Sequence, residues 1–266
     1  MNDTNTTNGH PTARPTPDGR PDLATTMAMV ADVDGWMSPD QGATLYDSAR
    51  RCPDGGTIVE IGSFRGRSTI VLATAADPSV TVIAIDPHAG NDRGPQEIDG
   101  YEDEAESDHA VFNANLARAG VSDRVRHLRM FSDDALAEVD GDLDVVYVDG
   151  AHRYAPALTD IRSWGERLAP GGTLLIHDSF SSIGVTLAIL RSLVAGSEFR
   201  YVGRARSMTI YRRDLPDSTV ARARNAGRQL AQLPWFAKNV GLKVLLTLGL
   251  GRLLERAGRP APDWPY

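Results

Sequence analysis

Between residues 57 and 212 the chain alternates short apolar runs with longer amphipathic stretches. The runs at 57–61, 81–85, 125–129, 143–148 and 172–177 read as strands. The stretches at 68–76, 107–119, 155–168 and 183–195 read as helices. Regular alternation of this kind predicts a parallel sheet covered on both faces. Two last strands, 199–202 and 207–212, follow each other without a helix and predict an antiparallel hairpin at one edge. The expected class is therefore α/β, a Rossmann-like, mostly parallel sheet with helical additions before and after it.

The additions are legible too. Two helical pieces precede the first strand, and the second opens at Ser38-Pro39, an N-cap followed by proline at the first helical position. Residues 1–22 are rich in Asn, Thr, Pro, Gly and Asp and predict a disordered tail, leaving 23–214 as the main domain. Residues 215–266 predict a helical extension. Its apolar run from Val240 is interrupted by Lys243, Arg252 and glycines and is too short to span a bilayer, so no stable membrane insertion is expected. Packing on a second subunit, giving a homodimer, or over the substrate site is the preferred role; interfacial membrane contact comes second.

Composition narrows the partners. Acidic residues outnumber basic ones 35 to 28, which argues against a nucleic-acid surface. Cys52 is the single cysteine, so no intrachain disulfide forms, and the opening MNDTNTTNGH lacks a secretion pattern; a cytoplasmic location is the expectation. Lysine is confined to Lys238 and Lys243.

Ligands of such sheets bind at the carboxyl ends of the strands, where strand order reverses. The first strand leads into Glu60-Ile61-Gly62-Ser63-Phe64-Arg65-Gly66-Arg67-Ser68-Thr69, glycines in a turn and a Ser-Thr pair opening a helix. The second ends at Asp86, about twenty residues on, where a carboxylate suits ribose hydroxyls. That spacing fits a nicotinamide enzyme as well. Against it, Gly62 and Gly66 do not make a GxGxxG turn, and Glu60 suits a cationic methionyl ammonium or sulfonium better than a pyrophosphate. Ser132 and Asp133, after the third strand, are placed to flank an adenine; Phe131 beside them reads equally as a core aromatic.

The fourth strand delivers Tyr147-Val148-Asp149-Gly150-Ala151-His152, and the fifth Ile176-His177-Asp178. Adjacent strands lie about 4.8 Å apart. Asp149 and Asp178, if their strands are neighbours, repel each other unless a divalent cation lies between them.

Taken together, EIGSFRGRST, Asp86, YVDGAHRY and LAPGGTLLIHD, in that order, resemble the class I S-adenosylmethionine (SAM)-dependent methyltransferases. Within them the chain resembles the bacterial O-methyltransferases with an Asp-Gly-x-His motif, over about residues 36–212. That subgroup is similar to enzymes methylating sugar hydroxyls of antibiotics and of actinobacterial polysaccharides such as methylmannose polysaccharide. The resemblance implies SAM as cofactor, Asp149 and Asp178 as magnesium ligands and His152 as general base. Where relatives often have two consecutive acidic residues this chain has His177-Asp178, so His177 is a third ligand or an orienting group, and its nitrogen brings manganese into play. Catechol-type relatives use a lysine base, and no lysine lies within 23–214. The expected activity is metal-assisted methylation of a hydroxyl on a sugar or oligosaccharide acceptor. The rivals are a phenolic or polyketide acceptor, a NAD(P)-dependent oxidoreductase, or a SAM-binding protein without catalysis. The acidic, glycine-bearing stretch 88–106 reads as a lid or as plain disorder, with His88 placed to meet cofactor or substrate.

Overall fold

The computed structural model describes residues 18–89, 102–194 and 196–247. Seven strands form one sheet in the order β3-β2-β1-β4-β5-β7-β6. They are β1 (Thr57–Ile61), β2 (Thr81–Ile85), β3 (Val125–Leu128), β4 (Leu143–Val148), β5 (Leu168–Ile176), β6 (Arg200–Ala205) and β7 (Met208–Arg212). The first five run parallel, while β7 pairs antiparallel with both β5 and β6, so the expected edge hairpin is present. Strand order reverses between β1 and β4.

Alternate residues of these apolar strands feed two separate cores. Ile58, Val82, Ala84, Val145, Tyr147 and Leu175 face one side. There they meet α1 (Leu23–Met29), α2 (Pro39–Arg50), α3 (Arg67–Ala75) and α4 (Glu102–Ala119). Val59, Ile61, Ile83, Ile85, Val146, Val148, Leu174 and Ile176 face the other, against the short α5 (Ser132–Ala135), α6 (Tyr154–Gly165) and α7 (Ile183–Ile189). A continuous apolar run is what a strand covered on both faces requires.

Several boundaries differ from the sequence expectation for local reasons. The sixth helix stops at Gly165, and β5 starts early because Leu168 pairs with Leu143 before a register shift realigns the strands. The fourth helix begins at Glu102, five residues sooner than expected, and α7 continues as a π-helical turn over Leu190–Val194. At the N-terminal side, Ser38 caps α2 in a reciprocal capping box with Gln41, as the Ser-Pro signal implied. Residues 18–22, read as tail, are held: Asp22 caps α1, and Asp18 pairs with Arg20 and Arg50 at 2.6 and 2.7 Å. The rest of that tail, residues 90–101 of the expected lid and residues 248–266 lie outside the described residues.

The extension folds back on its own chain. Helix α8 (Thr219–Leu230) is tied to the edge hairpin through Asn225, which bridges the Phe199 carbonyl and the Tyr201 amide. Helix α9 (Leu233–Thr247) packs the half-buried Leu233, Trp235 and Phe236 against the second core. Among the described residues, no helix is long and apolar enough to cross a membrane.

Candidate functional site

The parallel ladder aligns the strand ends. Ile61 pairs with Ile85 on one side and Val148 on the other, and Val148 pairs with Ile176. It then runs one residue further: Gly62 N–H donates to Ile85 O, Asp86 N–H to Leu128 O, Asp149 N–H to Ile61 O and His177 N–H to Val148 O, at 2.8–3.2 Å. The residues singled out from the sequence thus stand in one row, spanning the switch point between β1 and β4.

On the β1–β2 half, Glu60 is fully enclosed. Burial pushes its carboxyl up to about 8, against hydroxyl bonds from Ser68 and Thr69. Its Oε1 and the Ser63 hydroxyl are buried polar atoms with no hydrogen-bond partner among the described residues, acceptors that a polar ligand in the β1–α3 turn can use. Asp86 bridges the turn: Oδ2 accepts from Phe64 N–H and Oδ1 from His88 N–H, both at 2.8 Å. Each oxygen keeps a lone pair for a ribose hydroxyl.

The missing side chains of the two turn glycines leave room for neighbouring parts of the protein. Gly62, at φ +86°, has the Asp149 carbonyl oxygen 2.3 Å from where a Cβ would stand, and Gly66, at φ +85°, has Leu116 at 2.7 Å. Only glycine fits either place. Ser132 is turned toward α6, its hydroxyl donating to Asp160 at 2.5 Å, and Asp133 is exposed. Phe131 is 61% exposed, so it is not a core aromatic. His88 is buried among the rings of His109, Phe112 and His127 and is not part of the carboxylate group described next.

On the β4–β5 half, Asp149, His152 and Asp178 come together. Among the described residues they form the one group of three whose ligand atoms all lie within 4.8 Å of one another. His152 Nε2 is 2.5 Å from Asp178 Oδ2. Burial alone would raise the Asp178 carboxyl, but His152 and His177 hold it well below the usual range. Tyr147 donates its hydroxyl to Asp149 Oδ2 at 2.9 Å, and burial together with the Asp149 charge keeps that phenol protonated. The two carboxylates are donors that fit a hard divalent cation, and the imidazole stands within reach of both.

His177 has a different part. Its Nδ1 lies 3.2 Å from Asp149 Oδ1 and 3.4 Å from Asp178 Oδ2. Burial disfavours its charge, yet the two carboxylates push its proton affinity up to about 10. On the other side, Gln41 uses its amide oxygen to accept from Ser38 N–H, so its NH₂ faces both Ser207 Oγ and His177 Nε2 at 3.1 Å. The two carboxylates hold a proton on Nδ1, which leaves no lone pair there for a cation. So placed, His177 donates toward the two carboxylates, and the nitrogen grouped with them is that of His152.

Sequence reasoning missed Gln41 and Tyr147. The Ser38-x-x-Gln41 pattern announced a helix cap, but nothing local announced its reach across 136 positions to His177.

Residues 59–179 match a family model described as a methyltransferase domain. Among solved structures the chain is similar to a cofactor-bound protein from MTB, at 20% identity and a TM-score of 0.53 over 72% of this chain and 89% of that one. It is also similar to the O-methyltransferase from Bacillus cereus in complex with SAH, at 18% identity and 0.51 over 71% and 89%. The O-methyltransferase NovP gives 17% identity and 0.54 over 66% and 81%. The matched segment opens beside Glu60 in β1 and closes one residue after Asp178, enclosing the whole row of strand ends. Residues 59–179 are therefore similar to a methyltransferase domain, and they lie on a Rossmann-like sheet.

Proposed function

We propose that this protein transfers the methyl group of SAM to a hydroxyl of a sugar or oligosaccharide, assisted by a magnesium or manganese ion. The observation that carries the reading is the row of strand ends, which sets the Glu60–Asp86 turn beside Asp149, His152 and Asp178. Glu60 and Ser63 would receive the methionyl end of the cofactor, and Asp86 its ribose. SAM supplies a methyl group on a sulfonium. The acceptor oxygen gains the O–CH₃ bond as the S–CH₃ bond breaks, leaving a thioether, and the hydroxyl proton must leave.

A sugar hydroxyl is a poor acid, so proton removal is the chain's main chemical task. His152 is the group to receive that proton, and Asp178 in contact with it stabilises the resulting imidazolium. Asp149 and Asp178 would hold the cation, which lowers the energy of the developing alkoxide. Tyr147 and His177 fix the rotation of the two carboxylates by donating to them.

The test is SAH formation by the purified protein across mono- and oligosaccharides, with and without added magnesium or manganese. Metal-stimulated turnover on a saccharide is the expected result. Turnover confined to phenols, or indifferent to chelator, would discard the acceptor or the cation respectively.

A further inference from the structure

Asp178 does not sit on a regular element. It opens the turn between β5 and α7 at φ +52°, and Phe180 follows at φ +54°. Left-handed backbone at non-glycine residues is unfavourable and persists only where surroundings hold it. Inside the turn, Ser181 and Ser182 N–H both donate to Asp178 O, and the Ser179 hydroxyl is shared between Ile176 O and Thr209.

The outer carbonyls are taken by the C-terminal helix. Asn239, 3% exposed, donates its amide to Phe180 O at 3.1 Å. One turn of α9 later, Lys243 Nζ donates to Ser181 O at 3.0 Å and to Ser181 Oγ at 3.1 Å. Positions four apart lie on one helix face. Burial lowers the Lys243 ammonium's proton affinity while the nearby Asp178 charge supports it. The same turn also braces the other half of the site: Ser182 Oγ donates to His152 O at 3.2 Å, and a Cβ at Gly184 would stand 2.3 Å from that carbonyl oxygen.

We propose that α9 is a working part of the catalytic centre, in which Asn239 and Lys243 are positioning residues that hold the 178–182 turn so that Asp178 and the His152 loop keep their mutual geometry. This rests on the assignment of Asp178 and His152 to the active site. The extension outside the methyltransferase match thereby sets the competence of the site inside it, and one of the chain's two lysines reaches the site from beyond the main domain without serving as base.

The experiment compares full-length wild type with Lys243→Met, Asn239→Ala and the conservative Lys243→Arg. Amide hydrogen exchange at Ser181 and Ser182 should speed up by about tenfold or more in the first two variants and return toward wild type in Lys243→Arg. SAM affinity by calorimetry should stay unchanged, because its proposed contacts lie on β1 and β2. With a saccharide substrate, kcat should fall about tenfold or more while the manganese concentration giving half-maximal rate rises, and Lys243→Arg should recover both. Unchanged exchange at 181–182, or faster exchange with wild-type kcat and metal requirement, would overturn the proposal. Absence of methyl transfer in the wild type would instead sink the functional reading, and the exchange data would still decide whether α9 holds the turn.

Discussion

Replacing Glu60 by glutamine should separate the stability of the fold from the affinity of the cofactor site. The enclosed carboxyl holds its proton up to about pH 8, whereas the exposed group of an unfolded chain releases it near 4.5. Neutral Glu60 thus contributes its full stability below 4.5, and that contribution is lost as pH rises toward 8, because the unfolded chain gains by ionising and the folded one cannot. From 4.5 to 7, at 1.36 kcal/mol per pH unit, the loss comes to about 3 kcal/mol at neutral pH. Glutamine has the same shape, keeps an acceptor for the Thr69 hydroxyl and never ionises. Glu60→Gln should therefore stabilise the cofactor-free protein by about 3 kcal/mol at pH 7, roughly 6–12 °C in the unfolding midpoint for a chain of this size. The difference should shrink to nothing near pH 4. SAM affinity should move the other way, since the group proposed to meet its ammonium has lost its capacity for charge. Thermal unfolding of both proteins across pH 4–8, with calorimetric SAM titration, checks all of this. Equal midpoints at pH 7, or a gap that does not depend on pH, would refute the claim that burial keeps Glu60 neutral.

Other expectations follow from the same geometry. Asp86→Ala should weaken SAM by about 1.5–3 kcal/mol in calorimetry, the worth of a charged hydrogen bond, and an unchanged affinity would remove Asp86 from the site. Asp149→Ala and Asp178→Ala should each abolish metal-stimulated turnover, as should a chelator on the wild type, with recovery on adding magnesium or manganese; activity that survives chelation would count against the cation. His152→Ala should keep SAM binding while the rate falls by roughly 10²–10⁴, with a residual rate that climbs with pH as hydroxide takes over. Near-wild-type turnover in that variant at neutral pH would place the base elsewhere.

Much of this was readable before any coordinates, for identifiable reasons. The strand runs declare themselves because both faces of each are buried, so Val59 and Ile58 are equally apolar although they belong to different cores. Asp149 and Asp178 were legible as a pair because successive strands of such a sheet are usually neighbours, and β4 and β5 are. What a turn's glycines pack against was not legible. Gly62 and Gly66 suggested close approach of a ligand, and the structure adds that their missing Cβ atoms leave room for the Asp149 backbone and for Leu116. Nor was the contact of His177 with a glutamine brought in by a different helix, or the destination of Lys243, which depends on how the extension folds back. These are long-range contacts between single side chains, and no periodicity records them.

The ladder bonds that run one residue past each strand have a mechanical consequence. Gly62, Asp86, Asp149 and His177 cannot shift individually, because moving any one of them means unzipping the end of a buried parallel pair. Their opening should therefore belong to the cooperative unfolding of the sheet rather than to local breathing, and their amides should be among the slowest in the chain to exchange. The floor of the site is as stiff as the sheet, while Asp178 and His152 hang on the turns that follow it. Sequence change in those turns can then shift these two groups while the floor beneath them stays fixed.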